Sequence, residues 1–197
     1  ARKFLQERLQ QVKIKLEESE RGLVEFSRQE QLFTIGDKGS IVSQNLEATN
    51  AALGEAEKRR VAAEAMYRQM LGTRGQGLSQ VLDSKIIQDL KQSKAKLEAQ
   101  YQDNLSIYKP AYPTMVQLRN QISQVDSMIG QEIGNIRAAI TASYEAAKAE
   151  EALLRTNLDR LKQEVLTQQD RSIQFNILRR EVDTNRQLYD GLLQRFK

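Results

Sequence analysis

Apolar residues recur along most of this chain at alternating gaps of three and four positions. Such gaps place the residues on one stripe of an α-helix, and a stripe sustained this long is typical of coiled coils. The pattern is longest in the last third, where residues 114–197 contain no proline and only three glycines. We therefore predict one helix over about 114–197, on the order of 126 Å long. Its stripe consists of Met115, Leu118, Ile122, Val125, Ile129, Ile133, Ile136, Ile140, Ala147, Glu151, Leu154, Leu158, Leu161, Val165, Phe175, Leu178, Val182, Arg186, Tyr189, Leu193 and Phe196.

Three shorter helices are predicted before it, at about 2–32, 44–70 and 84–107. Glycine-containing breaks at 34–40 and 72–77 separate them, and Ser43 and Asp83 or Ser84 are the expected starts of the second and third. The first stripe consists of Leu5, Leu9, Val12, Leu16, Ser19, Leu23 and Phe26. The second consists of Leu46, Thr49, Leu53, Ala56, Ala63, Tyr67 and Met70. The third consists of Ile86, Ile87, Leu90, Ser93, Leu97, Tyr101 and Leu105.

The segment between the third and fourth helices predicts a chain reversal. Pro110 and Pro113 exclude helix between them, and Pro113 suits the first turn of the fourth helix. Tyr108 and Tyr112 flank them in the same turn. Because the three short helices together are about as long as the fourth, we predict an all-α, elongated antiparallel coiled-coil hairpin with one very long return helix. In the alternative that stays open, helices two and three fold back on themselves as a short bundle.

Composition supports thin helical packing and narrows the possible functions. The 197 residues include no Cys, His or Trp, and 28% are charged but only 6% aromatic. The net charge of +4 is spread among 26 acidic residues, so we expect no nucleic-acid partner. No run of 18 apolar residues is present, and helical periodicity reaches both ends. We therefore expect a single helical region that is a piece of a longer protein.

The residues that could carry out catalysis are few. Without Cys or His there is no thiolate, imidazole base or conventional zinc site, so we expect neither an enzyme nor a cofactor. The glycines in 72–77 lack the ending of a phosphate loop and are interpreted as a flexible turn. The charged clusters are interpreted as solvated helix faces with nearby partners, rather than as metal, lipid or polysaccharide sites. They are Glu17–Glu18, Glu145, Glu150–Glu151, Lys58–Arg59–Arg60 and Arg179–Arg180.

Three tyrosines near the predicted reversal, Tyr101, Tyr108 and Tyr112, admit two interpretations. Their rings could stack on sugar rings, or they could plug the turn itself, as aromatic side chains with one polar end commonly do. The second interpretation is favoured.

The end of the fourth helix carries a more specific polar cluster beside its apolar seam. Its members are Arg179, Arg180, Glu181, Asn185, Arg186, Tyr189 and Arg195. Arg180 with Asp183 or Asp190 could form pairs across neighbouring subunits, as could Glu181 with Arg186 or Asn185. Such exposed pairs add little energy but can fix the register of an oligomer.

This segment resembles the conserved end of the periplasmic region in bacterial polysaccharide co-polymerases. These are the chain-length determinant proteins of the Wzz/Wzc type, including the exopolysaccharide-transport and tyrosine-kinase branch. The family pattern is approximately Leu-x-Arg-Glu-x-x-x-Asn-Arg-x-Leu-Tyr-x-x-Leu-Leu-x-Arg. The matching residues here are Leu178, Arg180, Glu181, Asn185, Arg186, Leu188, Tyr189, Leu192, Leu193 and Arg195.

A second similarity lies at the reversal, from Tyr108 to Pro113. Many family members have Tyr-Gly-x-x-His-Pro there, whereas this chain has Lys109 for the Gly and Tyr112 for the His. Any role of that His is therefore in doubt here, while the helix-stopping role of Pro113 remains.

The resemblance implies a periplasmic scaffold and oligomerisation region that controls the chain length or export of a bacterial surface polysaccharide. It also implies a homo-oligomer at the inner membrane, held there by flanking segments absent from this chain. The implied partners are a polysaccharide polymerase or export machinery, and a contact with glycan is left open. A tyrosine-kinase domain could follow in a full-length protein, although this piece has no nucleotide-binding motif.

The runner-up is the coiled-coil hairpin of a periplasmic adaptor, or membrane fusion, protein of an efflux or type I secretion system. Such a hairpin would be flanked by lipoyl-like β motifs, and no such pattern is visible in the sequence. A membrane-curving dimer and a spectrin-like repeat fit less well, because the charge is mixed and no long repeat is present.

Overall fold

The structure, a computed structural model, describes residues 2–29 and 35–196, with the backbone alone described at 35–40. The described chain is all-α and contains no strand in these ranges. One long helix packs against the others, which confirms the predicted fold class. The helices are α1 (Arg2–Gln29), α2 (Ile35–Thr73), α3 (Ser79–Leu82), α4 (Lys85–Asn104) and α5 (Pro113–Phe196).

The chain forms two compact units. The terminal unit comprises Ala1–Ala52 and Leu154–Lys197, and the central unit comprises Leu53–Leu153. Helices α2 and α5 each contribute residues to both. The prediction of a single helical region within a longer protein stays a prediction.

The first predicted break is wrong over most of its length. Residues Ile35–Ser40 are helical, so α2 begins at Ile35 rather than at 44, and Ser43 does not cap it. Glycine weakens a helix by about 1 kcal/mol relative to alanine but keeps its amide donor, so Gly36 and Gly39 do not end α2 as prolines would. Thr34 and the predicted end of the first helix at Leu32 lie outside the described residues.

The second break begins after Thr73 rather than at residue 72, and a short helical turn lies between it and the next long helix. Helix α2 continues to Thr73, and α3 occupies four residues that the sequence pattern left without an element. The predicted N-cap of the next helix is confirmed, because the Ser84 side chain accepts a hydrogen bond from the amide of Ile87. Helix α4 ends at Asn104, three residues before the predicted end, and α5 begins at Pro113.

In the terminal unit the predicted stripes match the buried faces well. Every residue of the α1 stripe is buried or half-buried, with Val12 the most enclosed. On α5, Leu158, Leu161 and Val182 are buried and line the equivalent face. An apolar stripe this narrow cannot be buried by one helix, so each helix depends on its partner for stability.

In the central unit α2 and α4 pack one after the other along α5. Arg60 of α2 pairs with Glu151 of α5, and the ring of Tyr67 stacks on that of Tyr144. From the first contact to the second the chain advances seven residues in α2 and goes back seven in α5, which is the spacing of an antiparallel heptad. Lys94 of α4 then contacts Asp126, further towards the start of α5. Within this unit the successive arrangement is confirmed, and the fold-back of the two helices on each other is wrong.

The register of α4 differs from that of α2 by nine residues. From Tyr67 to Lys94 there are 27 residues, whereas from Tyr144 to Asp126 there are 18. The nine additional residues lie between Thr73 and Lys85, in the segment that contains α3. This segment adds Leu78 and Val81 to a core with Met70, Ile87 and Ile140.

The α4 stripe needs three corrections. Lys94, and not Ser93, occupies the half-buried position, whereas Ile86 and Leu105 are 58% and 38% exposed. The Lys94 ammonium lies 2.6 Å from a carboxylate oxygen of Asp126, and this hydrogen bond raises the pKa of Lys94. Because the pKa of Lys94 is raised in the folded state, the stabilisation that comes from its charge is present at neutral pH and is lost as the pH rises through that raised pKa.

Gly75 is the one glycine whose conformation the turn requires. Its φ is +87°, and a Cβ atom there would lie 2.9 Å from Cδ of Arg137 and 3.5 Å from Cγ2 of Ile133. The neighbouring Arg74 also has a positive φ, of 54°. The segment interpreted as a flexible turn is therefore a turn packed closely against α5.

We expect Gly75→Ala to lower the free energy of unfolding by about 1–2 kcal/mol, because alanine is strained at this φ. The matched control is Gly130→Ala in the middle of α5, where nothing lies within 4 Å of the added methyl group. That variant should be more stable by about 0.5–1 kcal/mol. Urea denaturation followed by circular dichroism measures both, and equal effects of the two would contradict the packed turn.

Candidate functional site

The polar cluster predicted at the end of the long helix lies on α5 in the terminal unit. The structure separates its members into two groups. Asn185 and Tyr189 are half-buried on the face that carries the seam. The exposed members are Arg179, Arg180, Glu181, Arg186 and Arg195.

Asn185 makes a polar contact within the seam between α5 and α1. Its Nδ2 donates to Oγ of Ser19 at 3.2 Å and lies 3.5 Å from the carbonyl oxygen of Lys15. The Ser19 hydroxyl donates in turn to the carbonyl oxygen of Leu16 at 2.9 Å. Polar residues at a seam position penalise other registers, because a shift would leave their donors facing apolar side chains.

Arg186 lies at the edge of this seam and forms an ion pair with α1. Its Nη2 is 2.6 Å from Oε1 of Glu20. The hydrogen bond to Glu20 raises the pKa of Arg186, so the guanidinium stays charged at every accessible pH. The prediction that Arg186 belongs to the apolar stripe is wrong, because the adjacent Asn185 occupies that position.

Arg180 and Glu181 lie on a side of α5 that the structure leaves open to solvent. Together with Ile177, Thr184 and Asn185 they line a shallow depression. Ile177 is 53% exposed, so apolar surface accompanies the charges there. The expected pairs between subunits from Arg180 and Glu181 stay predictions.

The predicted reversal lies in the central unit and is closed by aromatic stacking. The rings of Tyr108 and Tyr112 are nearly parallel, with centroids 4.4 Å apart. The amide of Tyr112 donates to the carbonyl oxygen of Lys109 at 2.9 Å, and Arg119 donates to the carbonyl oxygen of Pro110 at 3.3 Å. Tyr108 and Tyr112 therefore support the turn, whereas Tyr101, to which the same interpretation was applied, lies within α4 and outside this stack.

A second charged group, not recognised from the sequence, joins α2 to α5. Arg60 hydrogen-bonds Glu151, which is 6% exposed, and also pairs with Glu64 at 2.6 Å. The hydrogen bond to Glu151 raises the pKa of Arg60. The interpretation of Glu150–Glu151 and Lys58–Arg59–Arg60 as solvated faces is therefore wrong for Arg60 and Glu151.

The signal for this pair was present in the sequence. Glu151 interrupts the stripe between the apolar residues Ala147 and Leu154, as Ser19 interrupts that of α1. A charged residue at a seam position indicates a partner of opposite charge on the facing helix. The partner itself could not be found without the register.

We expect Glu151→Gln to lower the free energy of unfolding by about 1–2 kcal/mol, because it weakens a charge-assisted hydrogen bond in a buried position. Glu150→Gln is the matched control, since Glu150 pairs with the adjacent Arg59 at 2.8 Å in solvent. Exposed pairs contribute about 0–1 kcal/mol, so its effect should be smaller. Thermal and urea unfolding of both variants measure these changes. Equal losses of unfolding free energy would show that the burial of Glu151 does not strengthen its pair with Arg60.

Within the described ranges, no group of three or more acidic residues, His or Cys is placed to hold a metal ion. None of the helices in those ranges has the length and apolar character needed to cross a membrane.

The chain matches no family model, no curated protein and no solved structure.

Proposed function

We propose that this chain is the periplasmic scaffold and oligomerisation region of a protein that controls the chain length or export of a bacterial surface polysaccharide. In this proposal the chain is not itself an enzyme. Its partners are further copies of the same chain and the polysaccharide polymerase or export machinery. Segments on either side of it would hold it at the inner membrane.

The observation that carries the proposal is the resemblance of residues 178–195 to the co-polymerase motif. The residues of that motif have distinct environments in the structure. Asn185 and Arg186 contact α1 of the same chain, whereas Arg180 and Glu181 remain exposed. A motif of this kind can fix the helix pair and present a charged strip at the same time.

A scaffold needs both properties. A fixed register between α1 and α5 places Arg180 and Glu181 at a constant position on every copy. Closed rings of identical subunits require such self-consistent surfaces, because each interface must repeat around the ring. Exposed charges contribute little affinity but select one arrangement among many.

The adaptor hairpin is a second candidate, and the reversal between α4 and α5 supports it. Ile107 and Tyr112 are 72% and 47% exposed there. Exposed apolar residues at the end of a helical pair suit docking to another protein. In this case the turn, and not the end of α5, would carry the function.

We expect Arg180→Glu in the full-length protein to loosen the oligomer and alter the length distribution or amount of exported polymer. The fold should be retained, because Arg180 is exposed. Native mass measurement gives the oligomer, and gel electrophoresis of the extracted polysaccharide gives the chain lengths. The matched control is Lys162→Glu, a charge reversal at another exposed residue of α5, outside the motif.

Arg186→Glu tests the other half of the motif. It should impair polymer control by repelling Glu20, and the added change Glu20→Arg should restore it by re-forming the pair with opposite polarity. An unaltered polymer and intact oligomer in Arg180→Glu would overturn the proposed function. Loss of function on changing the exposed Ile107 alone to Ser, with Arg180→Glu silent, would favour the adaptor.

A further inference from the structure

A cleft between α4 and α5 in the central unit is lined by both apolar and polar side chains. Its floor is formed by the half-buried side chains of Tyr101 and Ile122. Its rim is formed by the exposed side chains of Glu98, Gln102 and Arg119. The cleft has a volume of about 450 Å³, which is within the range of about 300–1,000 Å³ found for small-molecule sites.

The geometry points to a pyranose ring as the occupant, and we propose that this cleft binds one sugar residue of a glycan chain. The choice of a glycan over other small ligands rests on the proposed function. A pyranose ring has an apolar C–H face and a rim of hydroxyl groups. The tyrosine ring and isoleucine can cover the first, because aromatic side chains combine a large apolar surface with a defined shape.

The rim supplies the complementary hydrogen-bonding groups. Gln102 offers both a carbonyl acceptor and amide donors, Glu98 offers acceptors, and Arg119 offers donors in a planar fork. Adjacent hydroxyls on a sugar act as donor and acceptor together, so they suit these planar side chains. Because Glu98 and Arg119 carry opposite charges, the rim does not require a charged ligand.

The helices hold these groups in place. Arg119 is tethered by its hydrogen bond to Pro110, and Glu98 lies 3.8 Å from Lys94, which is itself paired with Asp126. A second depression in the central unit is lined by Tyr67, Met70 and Arg137, and it differs because no carboxylate or carboxamide is among its described lining residues. The cleft beside Tyr101 therefore combines an aromatic floor with a rim that carries both hydrogen-bond donors and acceptors.

The test is a titration of the ¹⁵N-labelled 197-residue chain, followed by two-dimensional NMR. The probes are maltohexaose, chitohexaose and a mannuronic acid hexamer, each added separately, so that neutral, N-acetylated and acidic sugars are covered. We expect at least one of them to bind weakly and shift the amides of residues 98–102 and 119–122. Gln102→Ala should weaken that binding about tenfold, the equivalent of about 1.4 kcal/mol for a lost hydrogen bond.

Two further variants separate binding from folding. Tyr101→Phe retains the ring and should bind within threefold of the wild type, whereas Tyr101→Leu should weaken binding more than tenfold. Gln131→Ala, an exposed glutamine on α5 outside the cleft, should bind as the wild type does. The proposal is overturned if none of the three sugars shifts the cleft amides, or if Gln102→Ala and Gln131→Ala bind alike. Either outcome leaves the Arg180→Glu test of the scaffold function unaffected.

Discussion

The register of the shorter helices against α5 is the constraint on which the rest of the structure depends. An isolated helix with so narrow an apolar stripe is not stable in water. Each helix therefore packs its stripe against the stripe of its partner. If one helix slides along the other by one heptad, apolar residues again face apolar residues. Apolar packing therefore does not select the register by itself. In each unit, polar contacts between the helices select the register.

Those contacts differ in strength and exposure. In the terminal unit Asn185 bonds Ser19, beside the ion pair of Arg186 with Glu20. In the central unit the corresponding contact is the buried pair of Arg60 and Glu151. Among the described residues, no buried side-chain nitrogen or oxygen lacks a hydrogen-bond partner. Each contact is therefore satisfied in the observed register and would be lost in a shifted one.

The sequence was sufficient to predict the four longer helices and most of the seam, because a stripe of period 3.5 is a local property of the chain, whereas the four-residue α3 was not predicted. It was insufficient where the outcome depended on a facing helix. Ser93 and Arg186 were placed in the seam in place of Lys94 and Asn185, since composition alone does not reveal which polar side chain has a partner. The α2 start was missed because glycine is tolerated inside a supported helix. The α4–α5 cleft could not be predicted, because its lining residues come together only through the nine-residue shift of α4.

These results change how the C-terminal motif is interpreted. Its residues were first interpreted as a strip for contacts between subunits, yet Asn185 and Arg186 contact α1 of the same chain. Under the proposed scaffold function, Asn185 and Arg186 would set the position of the strip, and the exposed Arg180 and Glu181 would be the residues that contact a neighbouring copy. A loss of function at Arg186 would then be a positioning effect, which distinguishes it from a loss at Arg180.

The most direct test of this account asks whether α1 and the motif pair within one chain. The 197-residue chain contains no cysteine, so Glu20→Cys with Arg186→Cys gives this chain two reactive thiols and no others. Equal amounts of ¹⁴N- and ¹⁵N-labelled chains are refolded together, joined with a short bis-maleimide and digested for mass spectrometry. The account predicts cross-linked peptide pairs in which both halves carry the same isotope. Pairs of mixed isotope making up about half of the product would show that α1 contacts the motif of a neighbouring chain and would contradict it.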